Sequence, residues 1–419
     1  MQDLLGFTSI AIVSLITLFL ALRLPAISRI LYVALAIRIS VILLGHYYVT
    51  LPDSSADAIS IEGNAWFQSL YANYDFSLRP SDQDLATHSN FLGLFEYFEG
   101  PSAKFISLVL SIPYYFFGRS ILMAQSISLL LGVFSVFLGW KIATMIWNNQ
   151  IAKRVGWFIA LFPSLILYSS LTLKEPYICF FLLVALYGVV SWVKTDKLKS
   201  VFLALTGFTG AIFFHGSYIV GAIIFVLIFG FRNILISTTK LRFNYKIFTF
   251  LFIFVVLSQL YISNKIKVPY LGNFETSTDM TRLLHKTSIS TRGEAAWPEW
   301  IKMNSPIEAI YKLPVRAIYF VFSPFPWDVK KSTHLLGMID AFLYLYLSFL
   351  IFCNRKAIWK DRTSRIILIL LLSYIFVYAV GVGNFGTALR HRSKFVIMFI
   401  LLAAPMIKGF IFFKKSDKI

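Results

Sequence analysis

Residues 121–140 read ILMAQSISLLLGVFSVFLGW, twenty consecutive positions without a charged side chain. As a helix such a run extends about 30 Å, the thickness of a bilayer's hydrocarbon core. Reading outward in both directions, comparable runs recur at Leu4–Leu22, Ile30–Val49, Val155–Leu171, Pro176–Val193, Val201–Phe214, Ser217–Phe231, Ile247–Ile262, Leu335–Cys353, Ile366–Val382 and Val396–Phe413. The 419 residues are 58% hydrophobic and only 14% charged, far from the composition of a water-soluble domain. The sequence therefore predicts an all-α, polytopic transmembrane helical bundle of about 11 spans, one integral membrane domain over residues 1–419. Asp3 stands where a secretory signal would carry basic residues, so Leu4–Leu22 reads as a retained helix.

Two further apolar pieces, Phe105–Phe117 and Ala317–Trp327, are short for a crossing, and such lengths suit interfacial or re-entrant segments. Charge favours that assignment. If neither crosses, Lys141, Lys153, Arg154, Lys194, Lys197, Lys199, Arg232, Lys240, Arg242 and Lys246 all fall in cytoplasmic loops. If both cross, that block is inverted against the positive-inside rule. The net charge of +19 is thus a topology signal, and nucleic acid is not an expected partner. With the N-terminus outside, three regions face outward: a first loop at 50–120, a second at 263–334 and a short basic loop at 383–395. The first holds eight of the 20 acidic residues.

Chemistry-bearing residues gather in those three regions. Asp53 and Asp57 follow closely after the second span, with Glu62 beyond them, and a carboxylate there could take a proton from an attacking hydroxyl. In the second loop, Arg292 precedes Gly293-Glu294, and Ser323-Pro324-Phe325-Pro326-Trp327 carries two prolines that rule out a continuous helix. In the third, Gly383-Asn384 permits a turn before Arg390, His391, Arg392 and Lys394. This outward basic cluster works against the orientation rule and suits an anionic lipid phosphate. Glu175 reads as pairing with Lys174 or facing a cavity, His215 as a structural turn residue, and Arg38 as an intramembrane cation that must find a partner or water. Cys179 and Cys353 have no metal-ligand spacing. No phosphate-binding loop, dinucleotide fingerprint or serine triad is present, which argues against ATP or soluble nucleotide-sugar chemistry.

The layout resembles the GT-C superfamily of integral-membrane glycosyltransferases. The resemblance is carried by the acidic loop with Asp57, Ala58 and Glu62, by Gly100-Pro101 and the apolar stretch to Phe117-Gly118, and by Ala152 to Pro163, Tyr168, Ser169 and Lys174-Glu175-Pro176. The C-terminal half is similar to Wzy-type O-antigen and capsule repeat-unit polymerases through Arg292-Gly293-Glu294, Ser323–Trp327 and Asn384–Lys394. The superfamily's paired Asp-Glu is absent from the first loop, so Asp53, Asp57 and Glu62 stay open as the catalytic carboxylate.

The resemblance implies a transferase of the bacterial inner membrane that polymerises undecaprenyl-diphosphate-linked oligosaccharides at the periplasmic face. Asp57 would act as base, with Arg390 and Arg392 on the departing diphosphate and His391, Lys394 and Arg292 as further phosphate ligands. Its implied partners are the lipid-linked oligosaccharide, membrane lipid, and a chain-length regulator and flippase of the same pathway. The outer carboxylates leave room for a divalent cation, Mg²⁺ or Mn²⁺, on the phosphates. The alternatives are a transferase using a polyprenyl-monophosphate sugar and, in another class, a lipid-linked oligosaccharide flippase. The flippase reading is weakened by how little charge the predicted spans carry.

Overall fold

A computed structural model describes residues 2–55, 57–71, 101–240, 259, 263, 295–303 and 305–407. Among them every extended element is helical, and an isolated bridge joins Ala296 to Asn384. The helices run α1 (Gln2–Arg23), α2 (Ser28–Tyr47), α3 (Asp57–Tyr71), α4 (Pro101–Phe117), α5 (Ile121–Ile146), α6 (Asn149–Leu161), α7 (Pro163–Tyr168), α8 (Glu175–Thr195), α9 (Leu198–Phe214) and α10 (Ile219–Lys240). After Ala295 come α11 (Pro306–Phe322), α12 (Ser332–Cys353), α13 (Arg355–Lys360), α14 (Arg362–Gly381), α15 (Phe385–Ser393) and α16 (Val396–Ala403). Five of these, α1, α2, α5, α8 and α14, are long and apolar enough to cross a membrane. Leu4, Leu15, Phe19 and Leu22 of α1 are more than half exposed, an outward apolar face that suits lipid.

The local sequence explains the boundaries. Ser120 caps α5 by accepting from Met123 N, Asn148 caps α6 through Ile151 N at 2.9 Å, and Asp361 caps α14 through Ser364 N at 2.7 Å. α5 packs against α1, α2, α6 and α8 at the heart of the bundle. α8 and α9 approach closely because small residues face each other. A methyl group built on Gly188 would lie 2.3 Å from Ala204 N, and one on Gly207 2.2 Å from Ala185 N.

The predicted span Val155–Leu171 is not one helix. Pro163 has no N–H to continue α6 and forces Phe162 into an extended conformation, so the chain breaks and restarts as the short α7. The break leaves carbonyls without intrahelical partners, and Arg38 of α2 fills them. Its guanidinium donates to Ala160 O at 3.1 Å and to Ser169 Oγ at 2.8 Å. Gly132 makes room for it, since a Cβ there would sit 2.9 Å from Arg38 Nε. The same device closes two other helices. Arg316 donates to Ala379 O at 2.7 Å and to Val382 O at the end of α14. Arg392 donates to Val321 O at 2.7 Å and Ser323 O at 2.6 Å at the end of α11. Each guanidinium satisfies orphan carbonyls at the negative end of a helix dipole.

Most of Ile247–Ile262, and everything after Ile407, lies outside the described residues. Phe105–Phe117 forms most of α4, which packs along α3, with Ser107 Oγ donating to Ile61 O at 2.8 Å. Helix α11 stops at Phe322, ahead of the two prolines, and a single 3₁₀ turn follows at Pro326–Asp328. Arg38 is buried within α2, where a partnered cation was expected; the expectation of little other charge inside the apolar helices is corrected by Arg316 and Asp340, buried within α11 and α12.

Candidate functional site

The stretch 383–395, expected as a turn and loop, is mostly helix. Asn384 caps α15, its side chain accepting from Thr387 N at 2.7 Å. The segment before it is sewn to the second loop region by Trp297 N to Gly383 O and Phe385 N to Ala295 O, both 3.0 Å. Helical periodicity then divides the basic residues. Arg390 and Lys394 are four apart and share a face, while Arg392 points about 200° away from Arg390.

Arg390 and Lys394 meet two other helices, α3 and α8. Arg390 Nη1 lies 2.5 Å from Asp57 Oδ2 at the start of α3, and its Nε lies 2.8 Å from Glu175 Oε1 at the start of α8. Lys394 Nζ is 3.4 Å from the same Glu175 oxygen and 2.8 Å from His391 Nδ1. Asp53 joins from the turn before α3, where its backbone is left-handed (φ 60°) and Oδ2 accepts from Tyr168 OH at 3.0 Å. Ala58 packs on Tyr168, Leu171 and Leu173 beneath these charges. Two carboxylates and a guanidinium from distant parts of the chain thus share one spot. Arg390 and Asp57 reach solvent there, at 20% and 23% exposure, whereas Glu175 and Lys394 do not.

Burial sets the proton affinities. Desolvation of its carboxyl group raises Asp53 above its usual range, although the residue as a whole is exposed, and the Tyr168 hydroxyl and Arg390 oppose the rise. Burial lowers the Lys394 amine to about 7 against the pull of Glu175. His391 and His215 are pushed well below the ordinary imidazole value, by burial first and then by Lys394. For Arg390, burial works against the charge, but Glu175 and Asp57 more than offset it and hold the guanidinium above its usual value. Inward from Lys394 the polar groups continue. His391 stacks on Tyr378 with ring centres 4.7 Å apart and meets His215 at 5.0 Å, and Ser217 Oγ donates to Tyr378 OH at 2.9 Å. Below Glu175 a cavity of about 20 Å³, room for roughly one water, is lined by Arg38, Tyr168, Cys179 and Lys394.

Of the sequence candidates, Asp53, Asp57, Arg390, His391 and Lys394 come together. Arg392 does not. It is fully buried between the end of α11 and Asp340 Oδ2 (3.4 Å), with its guanidinium 4.7 Å from the centre of the Tyr344 ring, and no face is left for a lipid phosphate. Glu62 faces the other way on α3. It is bound by Arg119 at 2.9 and 2.6 Å and by Tyr114 OH at 2.9 Å, an internal brace of the α3–α4 pair. Arg292 lies outside the described residues. Among the described residues no group of three His, Cys, Asp or Glu side chains is placed to hold a metal ion. Glu175 is the residue sequence reasoning undervalued. Its signal is an acid beside Pro176 at the mouth of an apolar span, where burying it demands a cationic partner. Compared with known proteins, the chain matches no family model, no curated protein and no solved structure.

Proposed function

We propose that this protein is a GT-C-like membrane glycosyltransferase of the bacterial inner membrane that polymerises undecaprenyl-diphosphate-linked oligosaccharide repeat units at the periplasmic face. The observation that carries the reading is the meeting of Asp57 and Arg390, an acid for proton transfer and a planar fork for phosphate, at one solvent-reached point above apolar helices. An acceptor sugar hydroxyl attacks the anomeric carbon of the growing chain, and the bond from that carbon to the lipid diphosphate breaks. Asp57 takes the hydroxyl proton while Arg390 offsets the charge left on the diphosphate. A single preorganised donor of this kind is worth ~2.7–4 kcal/mol in the transition state. Arg392, tied to α11 and Asp340, has no part in the mechanism. A divalent cation would serve the same charge, but nothing in the arrangement requires one.

A second reading, a lipid-linked oligosaccharide flippase, is favoured by one set of observations: the helix broken at Pro163 and the buried Arg38, Arg316 and Asp340. Deleting the gene and resolving surface polysaccharide by size separates the two. The polymerase reading expects single repeat units to reach the surface while long chains vanish. Unchanged chain length removes it, and loss of repeat units altogether favours the flippase.

A further inference from the structure

Glu175 is 2% exposed, yet it meets two basic side chains, Arg390 Nε at 2.8 Å and Lys394 Nζ at 3.4 Å. Arg390 alone of the two reaches solvent, and its other arm ends on Asp57. An anion arriving from water therefore meets Arg390 first, and a guanidinium turned toward it releases Glu175. A buried carboxylate stripped of its partner is strongly destabilised. Lys394 is the basic side chain still in contact. Around its amine stand Glu175 and Lys174 from the start of α8, Arg390 and His391 from α15, and His215 from the turn before α10. Arg38 and Tyr168 line the same small cavity.

We infer that binding of a lipid diphosphate at Arg390 is coupled to uptake of one proton by the Glu175–Lys394 pair, which makes Lys394 the counter-ion Glu175 then depends on. The proton comes from bulk water and converts the Lys394 amine to an ammonium. No other bond changes, and release of the anion returns it. The amine's low proton affinity in the anion-free protein, about 7, leaves it largely neutral under mildly alkaline conditions and ready to take that proton. This inference rests on the phosphate-binding half of the proposed function, not on sugar transfer.

The test is calorimetric titration of farnesyl diphosphate into the full-length protein in detergent micelles, in two buffers of different ionisation enthalpy. In the wild-type protein at pH 8 the enthalpy should differ between buffers by close to one proton taken up. Affinity should fall roughly tenfold per pH unit above about 7. Lys394→Arg, whose guanidinium stays charged, should bind with no buffer dependence. Should that variant fail to fold, the wild-type affinity profile decides by itself. Constant affinity from pH 7 to 9 with a buffer-independent enthalpy would overturn the coupling and leave the transferase reading standing. Absence of binding at every pH would overturn both. Inorganic pyrophosphate, run alongside, should bind at least about tenfold more weakly; equal affinity would overturn the assignment to a lipid-borne anion.

Discussion

Asp57 Oδ2 lies 2.5 Å from Arg390 Nη1, so the first residue of α3 is ion-paired to the last turn of α15. Arg390 spans from that partly exposed acid to the buried Glu175, a reach that depends on the planar fork of a guanidinium. Arg390→Lys should accordingly fail as Arg390→Ala does. Both are expected to abolish long polysaccharide chains at normal protein level, read as loss of the ladder on a size-resolving gel. A full ladder with lysine at 390 would show that charge alone suffices.

Asp57→Asn should also abolish the ladder, while Asp53→Asn should keep it. Loss in the second with retention in the first would transfer the proton-accepting role to Asp53.

Asp53 carries a pH signature of its own. Desolvation of the carboxyl group, within a residue that is exposed overall, raises its pKa, so between the ordinary value of 3.8 and the raised one the folded chain holds a proton that the unfolded chain has released. Stability therefore falls as pH rises through that window. Asp53→Asn removes the slope and keeps an acceptor for Tyr168. Between pH 4 and pH 7 the change in unfolding temperature in detergent should be more positive for the variant than for the wild type.

Arg392 should behave unlike Arg390. Arg392→Met leaves Asp340 buried without its counter-ion and removes the donor from Val321 and Ser323 carbonyls. A loss of about 3–5 kcal/mol is expected, read as low expression and an early unfolding transition. Adding Asp340→Leu to the same chain should recover part of it, because no lone charge then remains.

Glu62→Gln should weaken the brace to Arg119 and Tyr114 by about 1–3 kcal/mol and leave chain length unchanged in whatever protein folds. A folded variant that has lost its ladder would restore Glu62 to the candidate site.

The sequence by itself determined that the chain is helical and rich in segments able to cross a membrane, because twenty-residue apolar runs leave a backbone in lipid no alternative but to bond within itself. It also singled out Asp53, Asp57, Arg390 and Lys394, since charges beside apolar helices are costly enough to stand out. What it left undecided was pairing. Whether Arg392 joins Arg390 depends on the local conformation of 385–393: as a loop both could face one anion, as a helix they diverge. Glu62 is separated from Asp57 by the same helical geometry on α3, and Arg119 claims it from α4. The break at Pro163 was written in the sequence, but the answering guanidinium came from α2, far away along the chain. Contacts of that kind follow from which helix ends meet in space, a property of the assembled bundle that no single segment encodes.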